Sequence, residues 1–403
     1  MTSLRLLFYT HAPEVSGAER SLLSIAQAAQ DRGHMVLLAA PPGPITEGAA
    51  ACGVSVAAMP PLALGYTRNP MTLARYLAGA AGPSLALARL TRAYRPHIVH
   101  ANSARAGLVA AAALRLAPPR PRPRLVVHTR DAFRAGLLSR LTARTVSHEA
   151  AAIVAISRYA AHGLGRSATV RVLHNAIDLS RYQRDEQAGA ALRVRLGLTT
   201  PETPLLALVG QISPWKGQAD ALEALARVRA AGVQAHLMIA GSPKFVGKGR
   251  RYDNGAYQAA LVARAGQADL RGHVHFLGEA PDPTPIYSAA SALLVPSWAE
   301  PFGRVVIEAM ACGCPVIATA AGGVPEIITA GSDGLLVPPR DPLALSAAIL
   351  ALLHDPDLAR RLRENGCCTA MARFGLEAYM ATLEDIWIST AGSHGTQQWS
   401  SRQ

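Results

Sequence analysis

The sequence predicts two tandem α/β domains, each a doubly wound parallel sheet with helices on both faces. Short apolar runs alternate with helical patterns, and this alternation fades between residues 180 and 204 before it restarts. A chain of 403 residues also exceeds one ordinary domain. Because ligands of such sheets bind at the carboxyl ends of the strands, the functional residues are expected at those ends.

The first alternation predicts a domain over residues 1–180. A helix is expected from about Ala18 to Arg32, with Ser16 as its N-cap and Gly33 as its stop. The predicted strands are LRLLFYT (4–10), MVLLAA (35–40), HIVHA (97–101), RLVVHT (124–129), AIVAIS (152–157) and RVLHNAI (171–177).

The second alternation predicts a domain over residues 205–375, preceded by a polar interdomain linker over 181–204. We expect residues 376–390 to form a helix that crosses back to the first domain, and residues 391–403 to be a disordered tail. The predicted strands are LLALVG (205–210), QAHLMIAGS (234–242, with its turn), VHFLG (274–278), ALLVP (292–296), PVIAT (315–319) and GLLVP (334–338).

The composition favours an anionic partner. The formal net charge is +13, and only three of the 40 basic residues are lysines. Nucleic acid, a phosphorylated substrate and a membrane surface all fit such a charge. The sequence lacks the interleaved aromatic and basic residues of nucleic-acid binders, so that class is not favoured. No apolar run approaches the ~20 residues of a membrane span, so any membrane contact is expected to be peripheral.

The five cysteines do not predict a metal site. Cys312 and Cys314 form a C-x-C pattern without accompanying histidines, and an odd, scattered count fits reduced thiols in a cytoplasmic protein. The only Asp-x-Asp pattern, at 355–357, is interpreted as a helix N-cap. These residues therefore do not predict a metal site.

Two segments of the second domain suggest a site for an anion. In VGQISPWKGQ, Lys216 stands just before a helix, where the helix dipole disfavours a cation unless an anion is also present. In EPFGRVVIEAM, Glu300 stands at a predicted helix start and Glu308 lies further inside that helix. Solvated side chains remain an alternative reading, but the apolar neighbours of Glu308 argue against a simple surface charge.

These segments resemble a known family. SGAERSLLSIAQ, VGQISPWKGQ, NAIDLSRY, PSWAEPFGRVVIEAMACGCPVIAT and GGVPEII occur in order. Together they resemble the retaining glycosyltransferases of family 4, whose fold is GT-B, two Rossmann-like domains with a cleft between them. The resemblance spans about residues 4–387 and is most specific in the E-x7-E segment.

The resemblance implies a role for each motif residue. Glu300 would contact hexose hydroxyls, Glu308 would bind ribose hydroxyls, and Lys216 would neutralise the diphosphate of a nucleotide-sugar donor. The backbone amides of Phe302, Gly303 and Arg304 would meet sugar and phosphate oxygens, and Gly17 would let the N-terminal loop approach the diphosphate.

The sequence departs from the family pattern at two places that matter. Gln211 stands where the family often has arginine, so one diphosphate contact is missing, and Arg304 or another arginine would have to compensate. The family often has a catalytic histidine at a strand end of the first domain. By register Arg130 takes that place in VVHTRDAF, whereas a slip of two residues would choose His128.

The implied activity is transfer of a hexosyl group, with retention, to a glycan or lipid-linked acceptor in the cytoplasm, without a metal or other cofactor. Contact with the inner face of an anionic membrane is left open. A GT-B epimerase or phosphorylase and a non-catalytic sugar-nucleotide binder remain alternatives, and donor sugar, base and acceptor stay undetermined.

Overall fold

The computed structural model describes residues 3–62, 70–116, 122–133, 136–164, 169–244 and 252–392. The chain divides into two compact units. Unit 1 comprises Met1–Asn175 with Glu377–Gln403, and unit 2 comprises Ala176–Leu376. Each unit contains its own all-parallel sheet, as the alternation predicts.

The sheet of unit 1 has seven strands in the order β3-β2-β1-β4-β5-β6-β7. These strands are β1 (Arg5–Tyr9), β2 (Met35–Ala40), β3 (Ser55–Ala58), β4 (Ile98–Ala101), β5 (Arg124–Thr129), β6 (Ala152–Ala155) and β7 (Val170–Val172). The helices of the unit are α1 (Gly17–Asp31), α2 (Pro44–Ala51), α3 (Pro70–Tyr94), α4 (Ala104–Leu116), α5 (Leu137–Glu149) and α6 (Arg158–Ala161), with a C-terminal helix (Leu376–Gly392).

The sheet of unit 2 has six strands in the order β10-β9-β8-β11-β12-β13. These strands are β8 (Leu205–Val209), β9 (His236–Ala240), β10 (Val274–Gly278), β11 (Ala292–Val295), β12 (Val316–Thr319) and β13 (Leu335–Val337). The helices are α7 (Glu186–Arg195), α8 (Gln218–Ala230), α9 (Asn254–Ala265), α10 (Thr284–Ala289), α11 (Arg304–Ala311), α12 (Pro342–His354) and α13 (Pro356–Arg373). We label the C-terminal helix of unit 1 α14.

Local signals placed several helix ends correctly. Ser16 caps α1 through its side chain, and Glu19 completes a capping box, while Gly33 follows the helix with φ +85°. Asp355 caps α13 by accepting a hydrogen bond from the Leu358 amide at 2.9 Å. These side chains satisfy amides that the first turn leaves without a partner.

Two strand predictions were wrong. The strand predicted over 171–177 ends at Val172, because its neighbour β6 ends at Ala155 and the ladder stops at that pair. The last contact is the Leu173 amide donating to the Ala155 carbonyl at 2.9 Å. The edge strand β3 was not predicted, since only one side of it is paired and none of its four residues is fully buried.

Helix α14 packs on the core of unit 1 through Trp387. The indole is fully buried, lies edge-on to Phe8 with centroids 5.8 Å apart, and donates through Nε1 to His100 Nδ1 at 3.1 Å. Arg32 adds an ion pair with Glu384 at 3.0 Å. The last described helix is therefore part of the first unit, whereas residues 393–403 of the predicted tail lie outside the described ranges.

Candidate functional site

Lys216 and Glu300 form an ion pair at the carboxyl edge of the unit 2 sheet. Lys216 ends a short 3-10 turn after β8, and Glu300 follows β11, which is the neighbouring strand. Lys216 Nζ lies 2.5 Å from Glu300 Oε2, and the Ser297 hydroxyl donates to the same oxygen at 3.2 Å. Their side chains are only 15% and 10% exposed, so solvent screens the pair weakly.

A glycine turn after β12 holds the backbone of Glu300. The Gly323 amide donates to the Glu300 carbonyl at 2.8 Å. Gly322 has φ +66°, and a Cβ at this position would lie 2.0 Å from the same carbonyl oxygen. Glycine alone meets both demands, because it tolerates positive φ and brings no side chain. The turn thus fixes the backbone position from which the Glu300 side chain extends.

Helix α11 begins directly after this loop. Gly303 caps it in a left-handed conformation with φ +107°, and a Cβ on Gly303 would lie 3.5 Å from Glu300 Cγ. Phe302 is 2% exposed and packs edge-on against Phe374. The N-terminus of a helix carries a partial positive charge and free amides, so this end can receive an anion.

Glu308 lies inside α11 and is not a solvated charge, since it is 4% exposed. Its Oε1 accepts from Arg304 Nε at 2.8 Å and from the Tyr182 hydroxyl at 3.2 Å. Its Oε2 accepts from the Tyr287 hydroxyl at 3.0 Å. Burial, and then Glu308, raise the pKa of Tyr287 well above its usual value, so this hydroxyl stays a donor. A ribose ligand would have to compete with these three donors.

Arg304, the first residue of α11, points its guanidinium at Glu308. Nε makes the contact above, and Nη2 donates to the Tyr182 hydroxyl at 3.4 Å. Burial lowers the pKa of Arg304, but Glu308 and Tyr182 outweigh it and the pKa is raised. Nη1 is buried and, among the described residues, has no hydrogen-bond partner. The side chain is thus committed to Glu308 rather than to the loop that carries Gln211.

Gln211 lies in the loop that leads from β8 to Lys216. Its carbonyl accepts from Gln218 Nε2 at 2.9 Å. The preceding Gly210 contacts Gly241 so closely that a Cβ on Gly241 would lie 2.0 Å from the Gly210 carbonyl oxygen. The loops after β8 and β9 therefore meet backbone to backbone at the carboxyl edge of the sheet, the edge where such folds bind ligands.

Arg130 lies at the carboxyl edge of the unit 1 sheet, directly after β5. Its Nε donates to Asn102 Oδ1 at 2.7 Å and its Nη1 to Asn175 Oδ1 at 2.8 Å. Asn102 follows β4 and Asn175 comes shortly after β7, so three strand ends converge on one cation. Arg130 is 5% exposed, which means that its orientation is set by these amides.

His128 lies two residues before Arg130, inside β5, and is fully buried. Its Nδ1 is 3.3 Å from His100 Nε2 and 3.3 Å from Arg130 Nη2. Burial first, and then Arg130 and His100, hold the pKa of His128 well below 6.5. Of the two candidates, Arg130 is at the strand end and His128 belongs to the buried interior.

Gly17 is the first residue of α1, and within unit 1 nothing lies within 4 Å of a Cβ built on it. Packing inside the unit does not require glycine there. The start of α1 is nevertheless close to Arg130, because Asn102 Nδ2 donates to the Ala18 carbonyl at 3.4 Å. Gly17 and Arg130 thus occupy the same edge of the sheet.

Sequence reasoning missed the polar partners of these residues. The side chains that hold the predicted residues in place were assigned no role, although three of them lie within quoted motifs; they are Asn102, Asn175, Tyr182, Tyr287 and Ser297. Asn102 and Ser297 each follow a buried strand, a signal that could have been used. The tyrosines gave no such signal, since their contacts with Glu308 arise only in the folded unit.

Over the described ranges, no group of three or more His, Cys, Asp or Glu side chains could hold a metal ion. Within the same ranges no single helix has the length and hydropathy of a membrane span. Helices α12 and α13 pass that test only when joined across their 100° bend.

Two family models match the chain in series. The model described as Glycosyltransferase Family 4 matches residues 15–181, and the model described as Glycosyl transferases group 1 matches residues 197–367. Between them they span most of both units, including the strand ends described above.

Curated relatives match about half of the chain. A D-inositol 3-phosphate glycosyltransferase of Streptomyces bingchenggensis is 33% identical over 224 residues, covering 54% of this chain and 47% of the relative. A protein of the same name from Nocardia farcinica is 33% identical over 234 residues, covering 55% and 50%. The chain thus matches about half the length of these relatives.

Solved structures share the fold over nearly the whole chain. Anabaena Alr3699/HepE in complex with UDP-glucose has a TM-score of 0.82 at 24% identity, covering 96% of this chain and all of that one. A sucrose-phosphate synthase from Thermosynechococcus elongatus has a TM-score of 0.79 at 22% identity, covering 97% and 100%. Both identities are below 25%, so the likeness shows that this chain shares the two-sheet fold of these neighbours and nothing further.

Proposed function

We propose an activity from the premise that this chain belongs to the glycosyltransferases that the two models, Glycosyltransferase Family 4 and Glycosyl transferases group 1, describe. The chain transfers a hexosyl group from a nucleoside-diphosphate sugar to a hydroxyl acceptor, with retention of anomeric configuration. The observation that carries the proposal is the Lys216–Glu300 pair beside the N-terminus of α11. It offers a cation, a carboxylate and a positive helix end at one strand edge, which suits a diphosphate joined to a sugar.

Each member of the pair has a separate task in this proposal. Lys216 and the first amides of α11 meet the diphosphate, where negative charge grows as the glycosidic bond breaks. Glu300 accepts hydrogen bonds from hexose hydroxyls. The bond from the anomeric carbon to the phosphate oxygen breaks, and the acceptor oxygen bonds to that carbon from the same face. The acceptor proton passes to the leaving phosphate oxygen.

Unit 1 supplies the acceptor side of the reaction in this proposal. Arg130, fixed by Asn102 and Asn175, is a preorganised cation that reorganises little when charge appears. We assign it, rather than the enclosed His128, to the catalytic place that the family resemblance left open. Gly17, at the same edge, keeps its predicted role of admitting the diphosphate.

We propose a UDP-sugar as the donor, which the UDP-glucose bound to the Anabaena neighbour supports. We propose a glycan or lipid-linked sugar precursor as the acceptor. The inositol phosphate named in the curated relatives is the second acceptor to try. Cytoplasmic location, contact with an anionic membrane and transfer without a divalent metal stay predictions.

The purified chain is mixed with UDP-, GDP- and ADP-glucose, each with and without a lipid extract, oligosaccharides or inositol 3-phosphate. Nucleoside diphosphate release and glycoside formation are both measured. We expect release that depends on an acceptor, a product with the donor's anomeric configuration, and no effect of EDTA.

Other outcomes would contradict the proposal in distinguishable ways. Release without a glycoside would indicate hydrolysis or epimerisation, and binding without turnover would indicate a sugar-nucleotide binder. Absence of binding to all three nucleotides, together with salt-sensitive binding to DNA, would rule out the donor site itself.

A further inference from the structure

We propose that the Arg304 guanidinium is a second diphosphate-binding group. Before the donor binds, Arg304 forms an ion pair with Glu308, and on binding it exchanges Glu308 for the diphosphate. The inference rests on the proposed function, because it needs a donor that carries a diphosphate. It adds a side-chain role for Arg304 and an exchange of partners inside unit 2.

The position of Arg304 is the first step. It is the first residue of α11, one residue after the left-handed Gly303 and four residues after Glu300. A cation at the N-terminus of a helix opposes the helix dipole, which is unfavourable unless an anion compensates. Glu308, four residues along the same face, is the anion that Arg304 contacts in the structure.

The second step is that the arrangement leaves the guanidinium incompletely bonded. Nε and Nη2 have partners at 2.8 and 3.4 Å, but Nη1 is buried and finds none among the described residues. A buried donor without a partner is costly and calls for an explanation. A planar guanidinium matches phosphate oxygens with several donors at once, so a diphosphate would satisfy it better than Glu308 does.

The third step is that Glu308 has other donors when Arg304 leaves. The hydroxyls of Tyr182 and Tyr287 already donate to its two oxygens. The carboxylate would therefore keep two hydrogen bonds and gain capacity for ribose hydroxyls. Lys216 and Glu300 are arranged alike, as a cation paired with a carboxylate. Donor binding would exchange both pairs, giving the cations to the diphosphate and the carboxylates to hydroxyl groups.

This exchange makes a counterintuitive prediction. Glu308→Gln removes the charge that holds Arg304, so we expect it to bind inorganic pyrophosphate about fivefold more tightly. Arg304→Leu should bind pyrophosphate and UDP about tenfold more weakly, while its affinity for uridine stays within about twofold. The double variant should behave like Arg304→Leu alone. Titration calorimetry on the full chain measures each affinity.

Arg361→Leu, on the exposed face of α13, is the matched control for loss of one arginine and should leave all three affinities unchanged. Circular dichroism melting checks that each variant is folded. If Glu308→Gln does not fold, Arg304→Leu decides alone by the contrast between UDP and uridine.

Three results overturn the inference. If Glu308→Gln binds pyrophosphate no more tightly than the wild-type chain, Glu308 does not compete with the diphosphate for Arg304. Tightening that persists in the double variant would place the effect elsewhere than Arg304. Equal UDP affinity in Arg304→Leu and wild type would remove Arg304 from the diphosphate site. A wild-type chain that binds neither UDP nor pyrophosphate would instead reject the proposed function, and this inference with it.

Discussion

At the scale of single residues, the site of unit 2 consists of charges that neutralise one another. Lys216 and Glu300 are 84 residues apart in sequence, yet their charged groups are 2.5 Å apart. A buried pair of this kind is weak evidence for stability, because desolvation offsets much of the attraction. Its position at a strand end, beside a helix N-terminus, favours a functional reason for keeping it.

Glu300→Gln tests the division of labour in this pair. We expect transfer to fall by about a hundredfold or more, because a hydrogen bond to the reacting sugar is lost. The dissociation constant for the nucleoside diphosphate should change little, since Lys216 is left intact and even relieved of its partner. Steady-state transfer assays and calorimetry with UDP measure the two quantities.

Glu223→Gln serves as the control for this substitution. Glu223 is also paired with an arginine, Arg264 at 2.7 Å, but its side chain is 50% exposed and it lies on α8. Both readouts should equal those of the wild-type chain. If Glu300→Gln lost nucleotide affinity and transfer in parallel, Glu300 would not be a sugar contact.

The sequence could predict which residues stand at strand ends but not what they touch. Lys216 and Glu300 are predicted from their places beside helix starts, Arg130 is predicted from the family resemblance, and the structure puts each at the carboxyl edge of a sheet. The contacts of Glu308 with Tyr182 and Tyr287 could not be found, because they join segments that are far apart in the chain. No local pattern encodes such contacts.

At the scale of elements, the turn after β12 and the start of α11 act together on Glu300. Gly322 accommodates the Glu300 carbonyl, and Gly303 caps the helix that follows it. Both glycines have positive φ, so the conformation of the loop is fixed by two residues that carry no side chain. The conformation of this loop thus determines where the negative charge of Glu300 lies.

Gly322→Ala should destabilise unit 2 and reduce donor binding. The new Cβ would lie 2.0 Å from the Glu300 carbonyl oxygen, so the loop must shift in addition to bearing the strain of φ +66°. We expect a loss of about 2–4 kcal/mol in the free energy of unfolding, measured by urea titration, and weaker UDP binding.

Gly331→Ala separates strain from collision. Gly331 has a similar φ of +77°, but nothing lies within 4 Å of a Cβ there. It should lose only about 1 kcal/mol and keep UDP affinity. Equal effects of the two substitutions would show that the close approach to Glu300 is unimportant.

Element boundaries were predictable where pairing and periodicity agree. β5 matches the predicted 124–129 to the residue, because it is flanked on both sides and its side chains are almost all buried. β7 was predicted too long, since its apolar residues continue after its neighbour has ended. Strand length is therefore a property of the sheet, which the local sequence does not contain.

At the scale of the whole molecule, several histidines of this strongly basic chain have lowered pKa values, and His100 and His128 among them are fully buried. Burial first lowers the pKa of His100 to about 3 and that of His236 to about 4, and holds that of His128 well below 6.5. His11, whose pKa is about 4, belongs to the same group. In every case nearby positive charge or a second imidazole acts in the same direction as burial.

These shifts predict that the chain loses stability in mild acid. The unfolded chain takes up protons at these histidines below about pH 6.5, whereas the folded chain does not. The free energy of unfolding is therefore undiminished by these histidines above that pH and decreases as the pH falls below it. At pH 5.5 each fully buried histidine should cost about 1.4 kcal/mol relative to pH 7.5. Hydrogen exchange of β4 and β5, corrected for intrinsic rates, measures the opening free energy at both values.

A pair of substitutions identifies the source of this loss. His100→Gln removes one titrating group from the unit 1 interior, so the difference in opening free energy between pH 7.5 and 5.5 should shrink by about 1.4 kcal/mol. His354→Gln, on the exposed end of α12, should leave the difference as it is in wild type. The comparison uses the pH-dependent part alone, because losing the Trp387 hydrogen bond lowers stability of the His100 variant at every pH. Protection of β4 and β5 that did not change between the two pH values would show that these histidines do not couple folding to protonation.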